Sequence, residues 1–111
     1  PQSLPPPLLS SFKPAALAAA REAAPQLERA LLVGAVPRDW QQQVAALQCA
    51  ALHADQRRLD RTTAAMVAET GLPLFAYTVN LPERARELFS WGVTAVFSDC
   101  PDQVADGLDD I

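Results

Sequence analysis

Polar and aromatic side chains stand at the ends of two apolar runs, and they are the chain's best candidates for chemistry. The first run ends in Tyr77-Thr78-Val79-Asn80, and the second ends in Ser98-Asp99. In parallel sheets, ligands gather at the carboxyl ends of strands. The pattern therefore predicts a binding site at these two ends.

The residue types needed for catalysis or metal binding are scarce. His53 is the single histidine, and it is predicted to be a polar residue at the rim of a strand end. Cys49 and Cys100 do not form a Cys-x-x-Cys pair, so a zinc site lacks ligands. Ser10 and Ser11 have no nearby His-Asp arrangement and are not predicted to be nucleophiles. Reduced thiols are typical of cytoplasmic proteins, and we expect that location.

Composition bounds the class of protein. The chain has 111 residues, of which 50% are hydrophobic and 20% are charged, as in an ordinary globular domain or a piece of one. Its net charge is −4, whereas nucleic-acid and anionic-membrane binders usually carry a basic face. No apolar run approaches the roughly 18 residues of a membrane span. We therefore predict neither a nucleic-acid partner nor a membrane span.

The start of the chain resembles a connector. Residues 1–6 are rich in proline, and no methionine opens the sequence. This segment has neither a charged start nor an apolar centre, so it is not predicted to be a signal peptide. We expect residues 1–6 to be a proline-rich connector and the chain to be part of a larger protein.

Short apolar runs alternate with alanine-rich stretches along the rest of the chain. The runs are too short for typical helices and are apolar at consecutive positions, which is typical of strands covered on both faces. They cover residues 7–12, 30–34, 49–53, 74–79 and 94–98. Helices are predicted between and after them, at residues 14–24, about 39–47, 60–71, about 80–92 and 102–108.

Residues that favour helix ends support two of these helices. Asp60 is a good N-cap and Gly71 is a good residue just after a C-terminus. In the next helix Asn80 is predicted to cap, Pro82 to occupy the first turn, and Gly92 to end the helix. Five βα units with parallel strands and right-handed crossovers follow. The pattern alone fits an open doubly wound sheet as well as part of a (β/α)₈ barrel, which needs about 250 residues.

An ordered series of segments carries a family resemblance. Together they resemble the C-terminal half of the glycerophosphodiester phosphodiesterase family, in its bacterial cytoplasmic form, over about residues 6–102. The segments are Leu8-Leu9-Ser10-Ser11-Phe12, residues 24–32, Tyr77-Thr78-Val79-Asn80, Trp91-Gly92-Val93 and Ser98-Asp99. The resemblance implies that residues 7–111 are the C-terminal part of a (β/α)₈ barrel of that family.

The resemblance also implies a reaction. The family hydrolyses glycerophosphodiesters to sn-glycerol 3-phosphate and an alcohol with a divalent ion, Mg²⁺ or Ca²⁺. Its catalytic set comprises a His-Arg-Gly strand, a Glu-x-Asp strand, a second histidine and a later glutamate, and none of these motifs occurs in this sequence. We therefore expect no catalytic residue, no bound metal and no activity in the 111-residue chain alone, because this chemistry needs an acid, a base and metal-binding carboxylates.

Three residues are implied to contact substrate. Phe12 would line the pocket, and the ring of Tyr77 would pack on the glycerol or alcohol part while its hydroxyl reaches a phosphate oxygen. Asn80 is a further candidate, although helix capping is its favoured role. Asp99 is expected to cap or tether the closing strand rather than to catalyse.

Other features have plain structural interpretations, and two alternative functions remain open. Arg57, Arg58 and Arg61 are expected to form a solvated surface, and a contact with phosphate is the less favoured alternative. The alternatives to an enzyme part are a non-catalytic half-barrel interaction module and an open-sheet binding domain.

A barrel cut partway would leave two strand edges and an inner face in water. We therefore expect the chain to form a homo-oligomer. The inner face is expected to expose residues such as Leu9, Leu31, Val33, Leu74 and Ala76 or their neighbours.

Overall fold

Five strands form the centre of the molecule. A computed structural model describes residues 9–11, 13–26 and 28–109. The strands run at Leu9–Ser11 (β1), Arg29–Val33 (β2), Ala51–Asp55 (β3), Leu74–Tyr77 (β4) and Ala95–Val96 (β5). Each falls on or beside a predicted strand, but β3 begins and ends two residues later than expected. That shift moves Asp55 from a loop to the carboxyl end of a strand.

A helix follows every strand. The helices are Pro14–Ala23 (α1), Trp40–Leu47 (α2), Arg61–Glu69 (α3), Pro82–Ser90 (α4) and Pro101–Asp109 (α5), and a short 3₁₀ turn, Gln56–Arg58, lies between β3 and α3. All five correspond to predicted helices. Within the described ranges, no helix is long and apolar enough to cross a membrane.

The order of the strands distinguishes the two architectures that the sequence left open. The sheet has the order β1-β2-β3-β4-β5, and every neighbouring pair is parallel. A doubly wound sheet reverses its strand order at a switch point, whereas a barrel adds strands in sequence. The arrangement is therefore that of consecutive units of a (β/α)₈ barrel, as predicted.

The hydrophobic core lies between the sheet and the five helices. In register across the sheet, Leu31, Leu52 and Leu74 are at most 1% exposed. Two residues further along their strands, Ala54 and Ala76 are fully buried on the same face. Each helix contributes at least one buried side chain to the same cluster, namely Leu17, Leu47, Val67, Leu88 and Val104. Small alanines at the sheet let these helices approach it closely.

The opposite face of the sheet differs from our expectation. Leu31, Leu74 and Ala76 were predicted to meet water on the inner face, but they point at the helices. The opposite face carries an aromatic cluster of His53, Phe75 and Phe97 instead, with ring centroids 5.0 to 5.8 Å apart. His53 was predicted to be a rim residue, yet it is only 4% exposed. It lies in the middle of β3, where the alternation of the strand turns it into this cluster.

Most of the predicted helix ends are confirmed, and one is wrong. The carboxylate of Asp60 accepts a hydrogen bond from the Thr63 amide at 2.8 Å, as an N-cap does. Gly92 has a φ of +98°, and a Cβ there would lie 2.8 Å from that of Ala68. Asn80 does not cap α4: Leu81 occupies the N-cap position without a side-chain hydrogen bond. Asn80 has another role, described below.

Candidate functional site

Tyr77 ends β4 and reaches across the neighbouring strand. Its hydroxyl donates a hydrogen bond to the backbone oxygen of Val33 on β2 at 2.7 Å. The proton of the hydroxyl is thereby directed at Val33, and contact of the hydroxyl with a phosphate oxygen stays a prediction. The half-buried ring still presents a packing surface at the strand ends. Burial raises the pKa of the Tyr77 hydroxyl, which keeps it neutral near pH 7.

An ion pair lies beside Tyr77 at the end of β3. The Asp55 carboxylate accepts hydrogen bonds from the Arg57 amide at 3.0 Å and from its Nε at 3.2 Å and Nη2 at 2.9 Å. These bonds hold the pKa of Asp55 below its ordinary value. The Asp55 side chain is 10% exposed and that of Arg57 is 79% exposed. The carboxylate therefore fixes a guanidinium that projects into solvent.

Asn80 joins the ends of β4 and β5. Its side-chain oxygen accepts hydrogen bonds from the Asp99 amide at 2.9 Å and the Ser98 hydroxyl at 3.0 Å. Its side-chain nitrogen donates to the Asp99 carboxylate at 3.4 Å. The Ser98 hydroxyl also accepts from the Cys100 amide at 3.0 Å. Asp99 therefore tethers the closing strand, as predicted, and Asn80 is the residue to which it is tethered.

A cavity brings these groups together. It has a volume of about 310 Å³ and is lined by Asp55, Arg57, Tyr77, Thr78, Asn80 and Asp99. All six lie at or just beyond the carboxyl ends of β3, β4 and β5. Its wall combines one aromatic ring, one cation and two carboxylates, so it suits a small polar molecule with several hydrogen-bonding groups.

The turn that carries Arg57 is anchored from the other side. Arg84 on α4 donates to the Gln56 side chain at 2.8 Å and to its backbone oxygen at 2.5 Å. The Arg84 guanidinium also lies 4.9 Å from the centre of the Trp91 ring. Leu59, just after the turn, is 4% exposed. The turn is thus held between α4 and the core.

The structure places the predicted site residues unequally. Tyr77 and Asn80 lie together at the cavity, although their contact with substrate stays a prediction. Phe12 lies outside the described residues. Asp55 and Arg57 were missed as site residues, and the signal that could have found them was their position, since an Asp that ends a strand is followed two residues later by an Arg able to fold back onto it.

The metal that the family resemblance implies has no fitting ligand set here. Residues 9–11, 13–26 and 28–109 contain no group of three His, Cys, Asp or Glu side chains that could hold an ion. Asp55 is committed to Arg57, and Asp99 is bonded to Asn80. No catalytic step through a metal is therefore derived from these residues.

The chain has the architecture of the (β/α)₈-barrel class, because its βα units follow one another in a parallel sheet. Proteins of that class carry their sites at the carboxyl edge of the sheet, where the polar groups of this chain lie. Comparison with family models gives the particular family. Residues 5–103 match the Glycerophosphoryl diester phosphodiesterase family, so the chain belongs to it. The family resemblance in the sequence is thereby confirmed. No curated protein matches the chain.

Solved structures support the assignment. A phosphodiesterase of Oleispira antarctica, in complex with the product sn-glycerol-3-phosphate, is 36% identical with a TM-score of 0.90; the match covers 98% of this chain and 44% of that one. A candidate glycerophosphodiester phosphodiesterase of Galdieria sulphuraria shares the fold, with 17% identity, a TM-score of 0.81 and coverage of 92% and 43%. A candidate glycerophosphoryl diester phosphodiesterase of Silicibacter pomeroyi also shares the fold, with 24% identity and a TM-score of 0.76. That match covers 93% of this chain and 38% of the other. The chain spans less than half of each of these structures.

Proposed function

We propose that this chain contributes the strand-end wall of the active site of a glycerophosphodiester phosphodiesterase. The enzyme would hydrolyse glycerophosphodiesters to sn-glycerol 3-phosphate and an alcohol. The observation that carries the proposal is the cavity lined by Tyr77 at the carboxyl ends of β3, β4 and β5, in a chain of this family. Binding of sn-glycerol-3-phosphate by the 36% identical Oleispira protein supports it.

Within that enzyme, this chain would bind and orient substrate. The Tyr77 ring would pack on the glycerol or alcohol part, and Phe12 would line the same pocket. Asn80 would act at the same edge, holding the end of β5 while it borders the cavity. A divalent ion, Mg²⁺ or Ca²⁺, would be bound by residues outside this chain, because the sequence lacks the His-Arg-Gly and Glu-x-Asp motifs of the family. We place the enzyme in the cytoplasm, which the two free cysteines support.

The test is an assay of the full-length polypeptide that contains this chain. Release of sn-glycerol 3-phosphate from glycerophosphocholine with Mg²⁺ or Ca²⁺, and its loss with EDTA, would support the proposal. Tyr77→Ala and Phe12→Ala should each lower kcat/KM, and the loss should correspond to on the order of 1–3 kcal/mol of transition-state stabilisation. Normal kcat/KM combined with a lower Tm would instead make both residues structural.

The 111-residue chain alone should be inactive. Removing one member of a catalytic set commonly costs several powers of ten in rate, and this sequence has one histidine and no His-Arg-Gly. The same assay on the purified chain measures this. Metal-dependent release of sn-glycerol 3-phosphate by the chain alone would contradict it.

The isolated chain should also associate with itself. Phe97 is 45% exposed and Phe75 is half-buried on the face away from the helices, and β1 and β5 are the edges of the described sheet. A second copy can cover that face or pair an edge. Sedimentation at micromolar concentration should show a dimer or larger species, and a compact, folded monomer would refute the proposal.

A further inference from the structure

The turn after β3 carries two adjacent arginines that the proposed reaction has not yet used. We infer that Arg57 and Arg58, here called the arginine pair, bind an anionic oxygen of the substrate at the carboxyl edge of the sheet. The inference rests on the proposed function and adds a specificity determinant to it. Four observations carry it: the orientation of Arg57, the placement of Arg58, the anchoring of the turn, and the charges next to the turn.

Arg57 is oriented but not used up. Its Nε and Nη2 form a two-pronged contact with the Asp55 carboxylate. That contact occupies one edge of the planar guanidinium and leaves the Nη1 protons and one Nη2 proton for another acceptor. The side chain is 79% exposed although its partner is almost buried. Asp55 therefore presents a guanidinium to the cavity in a fixed direction, which is the preorganisation that anion binding requires.

Arg58 lies over the end of the neighbouring strand. Its Nη1 lies 2.8 Å from the point that a Cβ of Gly34 would occupy. Gly34 follows β2 and accepts a hydrogen bond from the Asp55 amide at 3.1 Å, so Arg58 lies at the same level of the sheet as Asp55. The absence of a side chain at Gly34 leaves this place open. Within the described part of the chain, the Arg58 guanidinium has no hydrogen bond or ion pair.

The turn that carries the arginine pair is fixed on both sides. Asp55 bonds the amide of Arg57 at its start, and Arg84 bonds the backbone of Gln56 and, at 3.4 Å, that of Leu59. Arg84 itself is held against Trp91 and Glu87. A loop anchored in this way loses little conformational entropy when a ligand binds, which favours affinity.

The charges next to the turn favour an anion there. The Asp55 carboxylate and the Arg57 guanidinium line the same cavity as the Tyr77 ring, and Arg58 lies beside them over the end of β2. The charge of Asp55 is opposed by three hydrogen bonds from Arg57. Asp99, the other carboxylate at the cavity, keeps its charge beside the neutral amide of Asn80 at the ends of β4 and β5. At the turn itself, two arginines therefore stand against one carboxylate.

The ligand chemistry is an oxygen anion of the phosphate or carboxylate type, which the planar fork of a guanidinium matches. Such an anion can come from two parts of a glycerophosphodiester. One is the phosphoryl group, which every substrate has. The other is an acidic group on the alcohol, which only some substrates have. The experiment separates the two sources.

The test uses the full-length polypeptide with Arg58→Gln, Arg57→Gln and the matched control Arg61→Gln, an exposed residue with the same charge change. Glycerophosphocholine and glycerophosphoserine serve as diesters with a cationic and a carboxylate-bearing alcohol. Calorimetry measures binding of sn-glycerol 3-phosphate. Arg58→Gln breaks no described contact, so it tests the inference even if Arg57→Gln, which strips Asp55 of its partner, fails to fold.

We expect Arg58→Gln to lower kcat/KM by about tenfold relative to Arg61→Gln, as the loss of a charge-assisted hydrogen bond does. A loss confined to glycerophosphoserine supports recognition of the alcohol. Equal losses on both diesters, with weaker product binding, support recognition of the phosphoryl group. Values within twofold of the control for both diesters and for product binding overturn the inference.

The proposed function and this inference fail in different ways. If the unaltered full-length protein hydrolyses neither diester, the proposed function is wrong. The arginine pair is then judged by the calorimetry alone. Product binding that Arg58→Gln weakens and Arg61→Gln preserves supports it, and the absence of binding, or binding that neither variant alters, overturns it.

Discussion

The two faces of the sheet are built from different residue types and are covered to different degrees. Toward the helices, leucines and alanines such as Leu52 and Ala76 are fully buried. On the other face, His53, Phe75 and Phe97 form an aromatic cluster that is still 45% exposed at Phe97. The face toward the helices, here called the finished face, is therefore fully packed, whereas the aromatic face is only partly covered by this chain. Stability should depend on the first face and assembly on the second.

The largest effect should come from the finished face. Leu52→Ala should lower the free energy of unfolding by about 3–5 kcal/mol, because it leaves a cavity among helices that cannot all collapse into it. Urea denaturation of the 111-residue chain measures this. A loss below about 1 kcal/mol would mean that the helix side is loosely packed and that the contrast between the faces is wrong.

A pH dependence should mark the aromatic face. Burial lowers the pKa of His53. The unfolded chain then binds a proton near pH 6.5 while the folded chain does not, so stability is complete above that pH and falls as the pH drops toward the lowered value. The slope should be at most about 1.4 kcal/mol per pH unit.

The control for that prediction is His53→Phe, which keeps the ring and removes the titration. Urea denaturation at several pH values between 5 and 7 should show the slope in the unaltered chain and a flatter profile in the variant. Identical slopes would show that His53 is solvated or that its charge is compensated when folded.

A smaller effect should come from the ends of the strands. Asn80→Ala removes three hydrogen bonds to Ser98 and Asp99 beyond β5, and at an exposed site it should cost about 1 kcal/mol. The full-length enzyme should lose activity as well, because the edge of the cavity moves. If Asn80→Ala lowered activity with unchanged stability, direct substrate contact would be the better explanation.

The smallest effect on the monomer should come from the open face. Phe97→Ala should cost less than about 1 kcal/mol at concentrations where the chain is monomeric, because the ring is half in water. It should weaken self-association more than Met66→Ala does, although Met66 on α3 is 52% exposed. Sedimentation at several concentrations compares the two. Equal self-association of both variants would remove the aromatic face from the interface.

Local residue signals were enough to predict the order and type of the elements. Proline in first helical turns, Asp60 as a cap and the glycines after helices are confirmed, because these residues act through their own backbone preferences. The faces of the strands could not be predicted in the same way. A strand buried on both sides is apolar at every position, so nothing in the run containing Leu31 tells which residues meet the helices.

A two-residue error in one strand accounts for the errors at the site. The apolar letters from Cys49 onward predicted a strand that ends at His53, whereas the strand ends at Asp55. With the earlier end, His53 became a rim residue and Asp55 a loop residue. With Asp55 placed in a loop, nothing in the sequence indicated that it pairs with Arg57 rather than with Arg58 or Arg61. Asn80 was misassigned for another reason: a cap and a cross-strand tether use the same side chain.

The bond from the Tyr77 hydroxyl to Val33 has a consequence for how the strands are held together. Strands β2 and β4 are not neighbours, because β3 lies between them. The hydrogen bond at 2.7 Å therefore links two strands that share no backbone hydrogen bonds. It acts as a cross-brace that limits the sliding of β2 against β4, independently of the backbone pairing through β3.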